Sequence, residues 1–361
     1  MIEIASGNLL KAHAQALVNT VNTEGVMGKG IALQFRDAYG EMFKKYQEDC
    51  KGGRVKLGKM HVYDLGAFVD DGPRYIINFP TKGHWRARSQ LSDIEHGLVD
   101  LAEVIEELKI ESIALPPLGC GNGGLDWADV KPKIELALQN LRGVKVLMFE
   151  PKGAPPSAEM PRRTVRPRMT EARAILVTLM DRYLKGLLDP FVTLLEVQKL
   201  MYFMQEAGQP LKLEYSAGKY GPYANNLRFE LHRMEGHFIS GFGDGAENPD
   251  KPLELLPGAI DDAYDLLARK DEANKRMDRV TRLIDGFEDS YGMELLSTVH
   301  WVMLQNPKAR ENADVAIRDV QAWNTRKRML MKPDHLQKAW ERLAREDWNM
   351  ASATIDRLSV V

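Results

Sequence analysis

Residues 16–18 are apolar, and the next twelve hold Asn19, Asn22, Gly25, Gly28, Lys29 and Gly30 before a helical pattern resumes near Ile31. A strand that runs through such a stretch into a helix leaves its glycine backbone N–H groups open to close approach. The helix start adds its positive dipole end, and Lys29 adds a full charge. The natural guest is a phosphate, although a purely structural turn has the same composition. Spacing excludes two familiar loops. An ATP or GTP P-loop needs four residues between its first glycine and the Gly-Lys pair, then Ser or Thr for magnesium; here two residues separate Gly25 from Gly28, and Gly30 follows Lys29. The dinucleotide fingerprint fails as well, because the glycines stand in the wrong order and no acidic residue closes a second strand about 20 residues on.

Composition limits what surrounds this loop. With 361 residues, 44% hydrophobic and 28% charged, the chain can bury a substantial core and is expected to divide into two domains. A net charge of −2 carries no global signature of a nucleic-acid binder and leaves room only for a local basic channel. Cys50 and Cys120 are too few for a disulfide framework, and the eight histidines form no H-x-x-x-H or Cys/His cluster. Neither a metal nor another cofactor is expected. No signal peptide or apolar run of about 18 residues is visible, so we expect a cytoplasmic protein.

In chain order, strands are expected at residues 2–5, 16–18, 59–65, 74–79, 112–115 and 144–149. Helices are expected at 31–38 and 41–49. A longer one carries Leu91, Ile94, Leu98, Leu101, Ile105 and Leu108 and opens on a Ser92/Glu95 capping box. The last is capped by Asp126, with Val130, Ile134, Ala137 and Leu141 on its inner face. This alternation implies an α/β fold, a mixed sheet with helices on both faces, whose ligands sit beyond the carboxyl ends of the strands. Both glycine-rich stretches, 25–30 and 116–124, and Lys82 fall at such ends.

Three motifs in order carry a resemblance. Gly25-Val26-Met27-Gly28-Lys29-Gly30, Asn78-Phe79-Pro80-Thr81-Lys82 with His84-Trp85-Arg86, and Pro116-Pro117-Leu118-Gly119-Cys120-Gly121 with Gly124-Leu125-Asp126-Trp127 resemble a macrodomain, the ADP-ribose-binding fold, over residues 1–150. Within it they resemble the lysine-dependent ADP-ribosyl glycohydrolase branch, and in that branch the DNA-directed antitoxins. The resemblance implies that Gly25, Val26, Met27, Gly28, Lys29 and Gly30, together with Pro117, Leu118, Gly119, Cys120, Gly121, Asn122, Gly123 and Gly124, wrap the diphosphate and distal ribose. It places Asn22 near that ribose, and Asn8 where many macrodomains hold an aspartate against the adenine amino group. An amide oxygen accepts that bond more weakly than a carboxylate.

The resemblance also makes Lys82 the catalytic residue, where a lone loop lysine would ordinarily be a solvated surface charge. An unprotonated amine there can attack the distal ribose and expel the modified base through a Schiff-base-like adduct, provided its pKa falls by desolvation or beside Arg86, Arg88 or Lys29. Members of the branch that pair the lysine with an aspartate in the second glycine loop differ from this chain, which has Gly123 at that place. Asp126 reads better as a helix cap, and the water-activating group is unassigned.

Residues 151–169 hold five prolines, five Lys or Arg and one acid, and are expected to form a poorly packed Pro/Arg-rich linker whose arginines are more simply solvated than bound to DNA. Residues 170–361 read as a mostly α-helical domain, with helix spacing at 174–184, 191–206, 224–234, 260–267, 280–287, 295–304, 315–323 and 336–343 and a glycine-rich, hairpin-like stretch at 236–245. Leu195 to Phe203 and Lys219-Tyr220-Gly221-Pro222-Tyr223 resemble Panacea-type antitoxin domains. That likeness implies a partner-binding fold, although Met201, Tyr202 and Phe203 are equally at home in a core. Between residues 244 and 265 seven acids face one lysine. Such a row suits a solvated loop, or an imitation of DNA phosphate in the groove of a DNA-modifying toxin.

The resemblance as a whole implies an antitoxin that removes ADP-ribose from ADP-ribosylated DNA, linked at thymidine, and binds its cognate DarT-like toxin, a DNA ADP-ribosyltransferase. ADP-ribose is its product ligand. A non-catalytic ADP-ribose reader would need the same loops without a reactive lysine. A hydrolase of ADP-ribosylated protein carboxylates would differ only in the leaving group.

Overall fold

The computed structural model describes residues 1–66, 72–186, 191–245 and 248–348. The chain separates into two compact units. The first holds residues 1–165 together with the short stretch from Gly243, and the second holds the remainder.

In the first unit, β1 (Ile2–Ala5), β2 (Ala16–Asn22), β3 (His61–Asp64), β4 (Tyr75–Lys82), β5 (Ser112–Leu115) and β6 (Lys145–Phe149) form one sheet in the order β1-β6-β5-β2-β4-β3. Every pairing is parallel except β3 with β4. Parallel strands buried on both faces read as continuous apolar runs, as in Tyr75-Ile76-Ile77. Two apolar clusters result. Val18, Ile77, Phe79, Ile113 and Val146 meet α3 (Leu91–Glu107) and α4 (Trp127–Leu138) on one side. Leu17, Val21, Ile76 and Ala114 meet α1 (Gly30–Ala38) and α2 (Gly40–Lys51) on the other.

Several elements depart from the sequence expectation. Strands β2 and β4 extend to Asn22 and Lys82, because they pair with each other along their whole length. The capping box expected at Ser92 and Glu95 does not form, since α3 begins two residues earlier behind Gln90, which makes no side-chain cap. The proline-rich stretch after β6 is not loose. Met160 is buried, Arg162 pairs with the buried Asp37 at 3.2 Å, and the Arg163 amide donates to the Asp37 carbonyl at 3.0 Å, so residues up to 165 pack with the first unit.

The second unit is mainly helical around one core. Its helix Leu194–Glu206 starts three residues later than periodicity suggests, because Val192–Thr193 pairs with Pro252–Leu255 and Thr193 with Glu196 forms a reciprocal capping box. Asp271–Ile284 begins nine residues earlier than its expected counterpart, on the Ala273, Met277, Val280 stripe. Asn306 and Asn324 cap two short helices, Pro307–Glu311 and Thr325–Leu330, which periodicity does not foretell. The glycine-rich stretch is not a hairpin closed on itself. Ile239–Ser240 pairs antiparallel with the strand ending at Leu255, and the turn at Gly243 belongs to the first unit.

The two Panacea-like segments are locked together. Gln198 accepts from and donates to the Ala224 backbone at 3.1 Å each way, and Lys199 Nζ donates to the Pro222 carbonyl at 2.8 Å. Met201, Tyr202 and Phe203 are core residues. Lys327 and Glu294 form a buried ion pair at 2.8 Å, with Arg326 on the same carboxylate.

Candidate active site

The register of β2 and β4 sets the geometry. A bulge between Val21 and Asn22 brings Asn22 opposite Lys82 at the carboxyl edge of the sheet, and Thr23 N–H continues the pairing to the Gly83 carbonyl at 3.1 Å. Both glycine-rich stretches leave the sheet at this edge. Topology therefore gathers residues that are far apart in sequence.

The first stretch is wound around Asn22. Its side-chain oxygen accepts from the amides of Glu24 (3.0 Å) and Val26 (3.3 Å), and its amide donates to the Val26 carbonyl at 2.6 Å. Tyr46 holds the Asn22 carbonyl, Gln47 the Gly25 carbonyl at 3.2 Å, and Arg36 the Met27 carbonyl at 3.0 Å. Every polar atom of the Asn22 side chain is thus engaged in shaping the loop. Met27 is buried in the apolar core, while Val26 is exposed and Gly28, Lys29 and Gly30 are half-buried. The Gly30 amide, at the start of α1, donates to the carbonyl of Asp244 in the stretch that packs with this unit.

The second stretch leaves β5 as a series of tight turns. Cys120 N–H reaches the Pro117 carbonyl, Gly124 N–H that of Gly121, and Leu125 N–H that of Gly119, each at 3.1 Å. Gly119 has φ +71°, and a Cβ there would lie 2.8 Å from Leu125 Cδ1. A Cβ on Gly123 would sit 2.3 Å from both the Gly119 carbonyl oxygen and Ser89 Oγ, so this loop has no room for an acidic side chain at that place. Gly121, Asn122 and Gly124 are exposed, Pro117 and Cys120 half-buried, and Leu118 fully buried. Burial, helped by Asp126, pushes the Cys120 thiol up to about 11, which leaves it a poor nucleophile. Asp126 accepts from the Ala128 amide at 2.9 Å as the N-cap of α4.

Lys82 stands between the two loops. The residue is half-buried, its ammonium donates to the Asn122 carbonyl at 3.2 Å, and the Asn122 side-chain amide lies 3.1 Å from where a Gly30 Cβ would be. Burial lowers the Lys82 pKa from its ordinary value, because a partly dehydrated site disfavours the charged form. Desolvation is the single cause of that shift, and the neighbouring cations expected in this role do not contribute to it.

Asn8 lies elsewhere along the edge. Three strands separate β1 from β4, about 19 Å at ordinary strand spacing, a gap that only an elongated ligand spans. Its side-chain oxygen accepts from the Leu10 amide as the N-cap of a 3-10 turn, and its amide donates to the Glu159 carbonyl at 2.8 Å.

A buried polar relay beneath the sheet leaves no mark in the sequence pattern. Asn19 donates to Asn78 at 2.8 Å, Asn78 to His61 Nδ1 at 3.1 Å, and His61 Nε2 meets Asp49 at 2.8 Å. The His61 hydrogen bond, followed by those of Arg54 and Lys45, holds the Asp49 carboxyl well below the usual carboxylate range. The relay ties α2, and with it Tyr46 and Gln47, to the strands under the first loop. Four residues from four elements have no common spacing that periodicity could reveal.

The macro domain sequence profile matches residues 18–134. A DNA ADP-ribosyl glycohydrolase of Thermus aquaticus is 45% identical over 354 residues, 96% of each chain, and one of Mycobacterium tuberculosis is 44% identical over 355 residues, 95% of this chain and 99% of that protein. A DNA ADP-ribosyl transferase-DNA ADP-ribosyl glycohydrolase fusion protein of Thermosipho africanus is 34% identical over 158 residues, 38% of this chain and 41% of the fusion. Similarity at this level over nearly the whole length, together with a lysine set between two glycine loops at the edge of a macrodomain sheet, places the chain in the DNA ADP-ribosyl glycohydrolase family.

Proposed function

We propose that this protein releases ADP-ribose from ADP-ribosylated DNA, with Lys82 as the nucleophile. The observation that carries the reading is the Lys82 side chain, half-buried between the two glycine loops with its pKa lowered by desolvation. The neutral amine attacks the anomeric carbon of the distal ribose. Its lone pair forms the C–N bond while the electrons of the glycosidic bond leave with the base, which takes up a proton. Water then adds to the imine carbon of the ring-opened adduct and returns the amine. The glycine loops hold the diphosphate through backbone N–H groups, and Asn122 fixes the lysine. Thymidine as the modified base rests on the family resemblance.

The second unit, in this reading, binds and neutralises the cognate DNA ADP-ribosyltransferase toxin. The fusion of transferase and glycohydrolase in the Thermosipho relative supports a functional pairing of the two activities.

Purified full-length protein incubated with ADP-ribosylated DNA and, separately, with ADP-ribosylated protein should release free ADP-ribose from the first. Lys82→Ala should lower that release by at least about a thousandfold while still binding ADP-ribose, since the loops remain and only the nucleophile is lost. Turnover by the variant at the parental rate sinks the lysine mechanism. Release from the protein substrate alone moves the activity to carboxylate esters.

A further inference from the structure

Residues 84–88 form an uninterrupted exposed run between the buried Thr81 and Ser89, immediately beyond Lys82. Both ends of this loop are tied to the candidate site. The Gly83 carbonyl accepts from the Thr23 amide and hydroxyl at 3.1 Å each, beside the first glycine loop, and the Ser89 amide donates to the Gly123 carbonyl of the second at 3.0 Å. Within the run stands Trp85, 39% exposed and part of neither apolar cluster of its unit. Its indole is oriented all the same. The His84 ring stacks on it with centroids 5.7 Å apart and 22° between planes, and the Arg86 guanidinium lies 4.5 Å over its ring. His84 is held in turn, accepting at Nδ1 from the Arg86 amide at 3.1 Å and facing Glu24 at 3.6 Å.

A large aromatic ring kept out of the core, ordered by planar neighbours and accompanied by Arg86 and Arg88, is the arrangement that stacks unpaired bases while cations meet the backbone. Its place suits that role, because the exposed run follows Lys82 closely in the chain, where the proposed reaction frees the base. We propose that Trp85 is a stacking platform for an unpaired base flanking the modified nucleotide, with Arg86 and Arg88 meeting the adjoining phosphates. The inference rests on the hydrolase reading for the identity of the modified strand. In duplex DNA the base faces are hidden and the modified base is withheld from the lysine, so the platform has nothing to grip.

Fluorescence anisotropy of a labelled, unmodified oligothymidylate with the full chain tests the platform without any chemistry. Trp85→Ala should weaken binding about tenfold, the order that one base–aromatic stack supplies, and Trp85→Phe should restore most of it. Unchanged affinity in Trp85→Ala, or duplex DNA bound as tightly as the single strand, overturns the proposal. Kinetics supply a second arm. On an ADP-ribosylated single-stranded oligonucleotide, Trp85→Ala should raise KM about tenfold with little change in kcat, while release from an ADP-ribosylated thymidine nucleoside stays at the parental rate. Equal losses on both substrates would place Trp85 in the chemistry or the fold, and the platform falls. A parental chain that binds the oligonucleotide through Trp85 yet releases no ADP-ribose from either substrate supports the platform and defeats the hydrolase reading.

Discussion

Glycines that look equivalent in the sequence separate once their surroundings are known. Gly119 sits at positive φ with Leu125 and Ser89 crowding the position of a Cβ, whereas the nearest side-chain atom to a Cβ on Gly28 is Val26 Cγ1 at 3.8 Å. Gly28→Val should therefore fold normally and, in the proposed binding mode, lose ADP-ribose affinity by at least about tenfold, because the new methyls would stand where a phosphate approaches. Gly119→Val should instead destabilise the unit by about 1–3 kcal/mol through backbone strain and overpacking. Paired calorimetry and thermal melts distinguish the two, and an unchanged affinity in folded Gly28→Val moves the ligand elsewhere. Lys82 is also tested by pH. In the proposed mechanism the amine must be neutral to attack, and burial lowers its pKa, so kcat/KM should rise with pH and level off below the ordinary lysine value. A rise that continues through that value would mean the lysine is not desolvated during reaction.

Among elements, α2 does more than cover the sheet. It carries Tyr46 and Gln47 to the first glycine loop and is anchored by Asp49, whose carboxyl accepts from His61, Arg54 and Lys45. A carboxylate with a depressed folded-state pKa stabilises the fold above its unfolded pKa of about 3.9, and that stabilisation is lost as pH falls through the folded value. Asp49→Asn should lower stability at neutral pH by about 1–3 kcal/mol, the order of lost charge-assisted hydrogen bonds, and should flatten the decline toward acid. Denaturant midpoints measured from pH 7 to pH 3 check both. If the variant and parent decline in parallel, Asp49 is not the group that titrates. The expected ends of α2 lie within two residues of the observed ones, since its apolar face is local information; the relay beneath it joins strands and a helix across 59 residues and has no local trace.

At the scale of the molecule, the acidic stretch at 244–265 is not one continuous row. Asp244 is buried with the first unit, Asp262 pairs with Arg166 at 2.7 Å, and Glu247 lies outside the described residues, while Asp250, Glu254, Asp261 and Asp265 are exposed. If carboxylates imitate DNA phosphate toward the toxin, reversing those four exposed charges in the full chain should weaken toxin binding and make the residual affinity less sensitive to salt, with ADP-ribose release unchanged. Lys82→Ala should do the opposite, ending hydrolysis and keeping the toxin. Toxin retention that survives the charge reversals removes the mimicry.

The alternation of strands and helices, the paired glycine loops and a lysine at a strand end are all legible in the amino-acid sequence, because periodicity and turn chemistry act over a few residues. Asn122 as the partner of Lys82, the engagement of Asn8 and Asn22 in shaping turns, the burial of Met201, Tyr202 and Phe203, and the packing of residues 151–165 and Gly243 with the first unit require the tertiary fold. Each depends on which surfaces meet after the chain has closed on itself, and composition or spacing within a short window carries no record of that.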